Sequence, residues 1–252
     1  MTSVNGSNYI ATPCCRTLYK TPRYSSMNRS AWFYWTDGYE DRVLTAADGG
    51  LRKCQCGNFY LLPATIKLPL AVSEEIPYAV GLSEQDLPDA IQSENRSVQL
   101  VARREYWRYL NRPYRETYSA LRETEEKIAT AKSKADNLDE RSEVKKFLDK
   151  LAFKKMPAPP PPVRLPFTTP AFDPSALQIE NMSKLLDLLL QVQRETNSPS
   201  TSETAELYRE LGQLDEARAA IKTCRNSGVG LAERLIAELI DECRTCPVRY
   251  RA

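Results

Sequence analysis

Two close pairs of cysteines, Cys14-Cys15 and Cys54-Gln55-Cys56, are the residues of this sequence best suited to chemistry. Four thiolates suit a tetrahedral cation such as Zn²⁺, which binds sulfur at about 2.3 Å, and a pair carried on a tight turn lets backbone N–H groups face the sulfurs. Gly57 supplies permissive backbone directly after the second pair, and Pro13 stiffens the approach to the first. Adjacent cysteines in an extended strand point to opposite faces, so Cys14 and Cys15 reach one ion only where the chain bends. A straight chain leaves one of them a bystander, with Asp37 or water completing the site. The remaining alternative is four buried thiols without an ion. A full set of four sulfurs closes the coordination shell to reactive water, so the cofactor expected here is a structural zinc ion at Cys14, Cys15, Cys54 and Cys56.

Two separated close pairs on a stretch rich in turns resemble a zinc ribbon. Ribbons use two Cys-x-x-Cys knuckles, whereas the spacings here are zero and one residue. The resemblance implies a small β head organised by its metal, since about eighty residues rich in loops make a weak core alone. A second group, Cys224 with Cys243-Arg-Thr-Cys246, has the Cys-x-x-Cys spacing but only three sulfurs and no preceding strand, so packed thiols are expected there.

The chain contains no histidine. That removes Ser-His-Asp and Cys-His nucleophile activation, the two-histidine zinc protease helix and every Cys/His finger. Gly228-Val-Gly230 is too short for a phosphate loop, and no carboxylate pair is marked out by spacing. A non-catalytic protein is the expectation.

Between Arg103 and Tyr118 five arginines interleave with five aromatic residues. Arg103, Arg104, Trp107, Arg108, Tyr109 and Arg112 carry the types that dominate protein interfaces, and the same surface could stack bases and neutralise phosphates. A third possibility is that the rings face the core while the arginines are solvated. Thirty-five Lys and Arg against thirty-three Asp and Glu leave a net charge of +2, so no whole-protein field favours nucleic acid or an anionic membrane. The expected partner is another protein, as for an adaptor, chaperone-like or inhibitor-type molecule. A zinc-ribbon nucleic-acid binder is the alternative, and no membrane is involved.

The elements that must position these residues follow from composition. With 252 residues, 42% hydrophobic and 27% charged, the chain suits one sizeable core or two smaller ones. No secretory signal is evident at the N-terminus, so a cytoplasmic location with reduced thiols is expected and the four Asn-x-Ser sequons carry no weight. The fold class expected is α+β, a small zinc-ribbon-like β head followed by a mainly α-helical body. The head, residues 1–82, is read from Trp32-Phe33-Tyr34-Trp35, Asp37-Gly38, Gly49-Gly50 and Phe59-Tyr60-Leu61-Leu62.

Residues 83–155 read as an antiparallel helix pair. Pro113 falls in a first turn, Tyr114, Tyr118, Leu121 and Ile128 share one stripe, and Val144, Phe147, Leu148 and Leu151 share another. Residues 156–174 hold eight prolines and read as a stiff linker. Residues 175–252 read as helical, opened by an Asp173-Pro174 cap and continued by a helix started by Ser200 with Glu203. The run Ala205 to Ile221 resembles a single tetratricopeptide repeat, with Ala205, Gly212 and Ala217 in the family's small-residue positions and Leu214 where an aromatic is usual. One copy implies a helical hairpin without the concave groove of a longer array. A last helix carries Leu231, Leu235, Ile236, Leu239 and Ile240.

Overall fold

The structure, a computed structural model, describes residues 3–26, 31–42, 50–68, 75–136, 169–225 and 230–251. The Val144–Leu151 stripe and the Pro159–Pro162 run lie outside them. The architecture is α+β, with antiparallel strands in the N-terminal region and a mainly helical body. The chain forms two compact units, Met1–Arg112 with Phe172–Ala252, and Pro113–Ala171.

In the first unit, strands rich in aromatic and β-branched residues are separated by turn formers, as pleated pairing requires. Strand β1 (Ser3–Ala11) pairs with β2 (Leu18–Ser26), placing Ala11 opposite Leu18. Strands β3 (Ala31–Trp35) and β4 (Glu40–Arg42) form a second hairpin through the Thr36–Tyr39 turn. A third joins β5 (Leu51–Lys53) to β6 (Phe59–Leu61), with Lys53 opposite Phe59. Strand β7 (Ile66–Leu68) adds to the free edge of β1. From the far end of the sequence, β8 (Arg249–Tyr250) pairs with β3, so Tyr34 faces Tyr250 and their rings stack at 5.8 Å. The guanidinium of Arg249 lies 4.2 Å from the Phe33 ring centre.

The helices of this unit are α1 (Leu87–Ala90), α2 (Arg96–Leu110), α4 (Ala176–Thr196), α5 (Ser202–Glu210), α6 (Leu214–Arg225) and α7 (Leu231–Asp241), while α3 (Arg112–Asp136) runs into the second unit. Helix α2 starts where the Asn95 side chain accepts from the Ser97 and Val98 backbone N–H groups.

Two starts differ from the sequence expectation. Helix α4 is capped by Ser175, whose capping box with Gln178 satisfies two backbone donors that Asp173 would leave open. Helix α5 is capped by Thr201, because the Glu203 carboxylate that a Ser200 capping box needs is taken by Arg104.

Apolar clusters join these elements. Leu51, Leu87, Ala90, Ile91, Val98, Ala102 and Tyr106 pack β5 against α1 and α2. Trp107 packs with Met182, Leu185, Leu186 and Leu189 of α4 and Leu207 of α5. In the α5–α6 hairpin, Ala205 and Ala217 are fully buried with Ile221, Ile236 and Ile240, and Gly212 turns the chain with φ +76°. In the second unit α3 keeps Leu121 and Ile128 exposed, and its Tyr114 and Tyr118 rings sit 6.3 Å apart. Among the described residues no helix is long and apolar enough to cross a membrane.

Candidate metal centre

The two cysteine pairs occupy the tips of two hairpins. Between β1 and β2 the chain folds back through Thr12–Thr17, where the Thr12 N–H donates to the Thr17 carbonyl at 3.0 Å and Arg16 N–H to the Thr12 carbonyl at 3.1 Å. Arg16 sits at φ +61°, a left-handed conformation that bends the chain directly after Cys15. That bend lets both adjacent sulfurs face one way, which an extended strand forbids. Between β5 and β6, Cys54 N–H donates to the Asn58 carbonyl at 2.8 Å and Gly57 N–H to the Cys54 carbonyl at 2.9 Å. Gly57 has φ +89° with open space around it, so glycine serves here for its backbone freedom.

The tips face each other, and the four Sγ atoms lie within 4.8 Å of one another. Cys15 to Cys54 is 3.4 Å, Cys14 to Cys56 is 3.5 Å and Cys14 to Cys15 is 3.8 Å. A tetrahedral zinc with bonds of about 2.3 Å has sulfur–sulfur edges of about 3.8 Å, so the set fits such an ion with small adjustments. Cys54 is buried beside Ile10, Tyr19 and Tyr60, whereas Cys14, Cys15 and Cys56 are exposed. The alternative of four buried thiols does not describe this arrangement. Asp37 is not in the group. It is buried in the β3–β4 turn, accepting from Tyr39 N–H at 3.0 Å and from Asn111 Nδ2 at 3.2 Å.

Polar neighbours complete the surroundings. The Thr17 hydroxyl lies 3.0 Å and the Thr12 hydroxyl 3.6 Å from Cys15 Sγ. Asn58 Nδ2 donates to Cys56 Sγ at 3.5 Å, and Gln55 N–H donates to the Tyr19 hydroxyl at 2.9 Å beside Cys54. Hydrogen bonds from Thr17 and then Thr12 draw the Cys15 thiol down to about 5. Burial raises Cys54, but the Cys56 backbone N–H with the Cys56 and Thr12 side chains outweighs it and leaves that thiol below its ordinary value. Desolvation, and then the neighbouring sulfurs, push Cys14 up to about 12. Four like charges this close resist joint ionisation, and a divalent cation relieves that repulsion. Cysteine spacing alone does not point to the threonines, Tyr19 or Asn58, although Thr12-Pro-Cys-Cys-Arg-Thr17 flanks the first pair with hydroxyls.

Cys224, Cys243 and Cys246 do not converge, and among the described residues the four N-terminal cysteines form the one Cys/Asp/Glu group with metal-holding geometry. Cys246 is buried, Cys224 packs beside the α6–α7 cluster, and Cys243 is exposed at φ +55°.

The arginine and aromatic stretch is largely engaged within the protein. Arg103 is buried and donates to Asn181 Oδ1, Arg104 pairs with Glu203, Arg108 with Glu105 and Arg112 with Glu84. Trp107 is 1% exposed. Tyr109 stacks 6.0 Å from Tyr106, with the Arg112 guanidinium 4.9 Å from its ring. Arg104 and Arg108 also line a shallow pocket with Trp35, Gly38, Trp107 and Tyr250, where both cations meet their own carboxylates first.

Fold and site together define an α+β protein with a four-cysteine candidate metal centre. No family model, curated protein or solved structure matches the chain.

Proposed function

We propose that Cys14, Cys15, Cys54 and Cys56 hold one zinc ion as a structural centre, and that the chain acts without catalysis, presenting surfaces to another protein in a reducing compartment such as the cytoplasm. The observation that carries this reading is the convergence of four sulfurs, from hairpin tips 39 to 42 residues apart in sequence, to within 4.8 Å. Soft thiolates in a near-tetrahedral set favour zinc, and a closed sulfur shell offers no site to a substrate. Clipping two hairpin tips together stabilises a small β region whose own apolar cluster is short.

A protein partner is favoured over nucleic acid because Arg103, Arg104, Arg108 and Arg112 are already bonded within the fold, and the net charge is only +2. The α5–α6 hairpin, one tetratricopeptide-like unit backed by α7, would supply part of the docking surface.

Metal analysis of protein purified without chelator tests the centre. About one zinc per chain is expected, lost on Cys54→Ser or Cys56→Ser replacement. A content below about one-tenth zinc or iron per chain would end the reading. For the partner class, nucleic-acid retention that falls steeply with added salt would overturn the choice of protein.

A further inference from the structure

The sulfurs are not evenly spaced. The closest contacts run between the hairpins, Cys15 to Cys54 at 3.4 Å and Cys14 to Cys56 at 3.5 Å, while the adjacent residues Cys14 and Cys15 are 3.8 Å apart. Three of the four cysteines are exposed at the tips of turns, a setting in which small oxidants reach sulfur directly. Each cross-hairpin pair combines an exposed member with a near partner. Cys15 is exposed above buried Cys54, and Cys14 and Cys56 are both exposed. A sulfenic acid formed on any exposed sulfur would therefore find a resolving thiolate within 4 Å on the opposite loop.

We infer that the centre is a peroxide-modified site, in which oxidation exchanges one bound zinc for two cross-hairpin disulfides, Cys15 with Cys54 and Cys14 with Cys56. The inference rests on the four-cysteine zinc reading above and adds its regulation. In each pair one thiolate attacks a peroxide oxygen and the O–O bond breaks. With one proton taken up, the sulfur becomes a sulfenic acid and one water leaves. The partner thiolate then attacks that sulfur, forming the S–S bond and expelling the hydroxyl as a second water with another proton. Each peroxide thus removes two electrons from one pair, and about two equivalents convert the four thiolates and free the cation. A dithiol reductant reverses the bonds.

The pairing matters for what remains folded. Cross-hairpin disulfides tie the β1–β2 tip to the β5–β6 tip, as the metal does, so zinc leaves while the head keeps its connection. Links within each pair, Cys14 with Cys15 or Cys54 with Cys56, would leave the tips free of each other.

The test uses the full-length zinc-loaded protein, its metal content measured before oxidant is added. Hydrogen peroxide is titrated in the presence of a chromogenic zinc chelator, and the products are mapped by peptide mass spectrometry without reduction. Release of one zinc per about two peroxides, with both cross-hairpin links found and zinc uptake restored by dithiol, is the expected result. Cys243→Ser, which alters an exposed cysteine outside the centre, should leave that stoichiometry unchanged. Zinc that stays bound through about ten equivalents, or cysteines converted to sulfinic or sulfonic acids or to within-pair links, overturns the inference while leaving the zinc centre standing. Protein without metal before any oxidant overturns both, and the initial measurement separates that failure from the first.

Discussion

Trp107 Nε1 donates a hydrogen bond to Glu210 Oε2 at 2.9 Å, joining α2 to α5 across 103 residues of sequence. Asn111 Nδ2 donates to the same oxygen at 3.1 Å and to Asp37 Oδ2 at 3.2 Å, bringing the β3–β4 turn to the same point. All four side chains are buried. This junction ties the strand region to the helical body within the first unit.

Replacing Trp107 by Phe keeps most of the ring packing against Met182, Leu185 and Leu207 but removes the indole donor. A buried acceptor that loses a partner costs about 1–3 kcal/mol, and truncation to Ala adds the cavity for about 3–5 kcal/mol. Urea midpoints of the two variants should separate accordingly, and a Phe variant as stable as the parent would show that the hydrogen bond contributes nothing.

Glu210 makes stability depend on pH. Burial, then the nearby Glu206 and Asp37, push its carboxyl well above the ordinary range, and its second oxygen has no hydrogen-bond partner. The folded state therefore holds a proton that the unfolded chain releases near pH ~4.3. The stabilisation is complete below that value and is lost as pH rises through the folded-state pKa. Unfolding free energy measured in urea should fall as the pH is raised from about 4.3 toward neutrality, and Glu210→Gln should flatten the slope. A parent protein with no decline over that range would contradict this assignment.

Glu206 and Arg209 form a fully buried ion pair one turn away, with Arg209 also donating to the Arg244 carbonyl just before the C-terminal strand. Arg209→Met leaves Glu206 uncompensated and should cost about 3–5 kcal/mol. Adding Glu206→Gln should recover part of that loss, as a double-mutant cycle of chemical denaturation would reveal.

Two glycines separate strain at the cysteine turn from strain elsewhere. Gly57→Ala meets nothing within 4 Å but sits at φ +89°, so about 1–2 kcal/mol of strain falls on the cysteine turn and zinc affinity should drop. Gly38→Ala, at φ +73°, meets only the movable tip of the Arg108 side chain at 2.9 Å, so it should carry a similar backbone strain of about 1–2 kcal/mol while zinc binding is unchanged. Competition with a zinc chelator reads both, and loss of zinc from the Gly38 variant would contradict the separation.

Much of the local structure was legible. The cysteine pairs, the glycine after the second, the hairpin turn at Asp37-Gly38 and the helical stripes of Met182–Leu189 and Ile236–Ile240 depend on short-range spacing. The cap of α5 moved by one residue because a tertiary contact, Arg104 with Glu203, competed for the capping side chain, and that of α4 moved by two because Ser175 and Gln178 form a capping box. The arginine and aromatic stretch was legible as a group but not in its orientation. Five arginines at helical spacing suit a solvated face and a buried network equally until the acids opposite them are known.

By itself the sequence determined which side chains could bind soft metal, where turns must fall and that histidine chemistry is absent, because these depend on residue type and on spacings within one element. Only the tertiary structure decided that the two cysteine loops meet, that Arg249–Tyr250 completes the strand region, and that Glu210 sits between Trp107, Asn111 and the carboxylate of Asp37. Those relations join residues 39 to more than 200 positions apart, and no local preference encodes a distance between segments that only a shared core brings together.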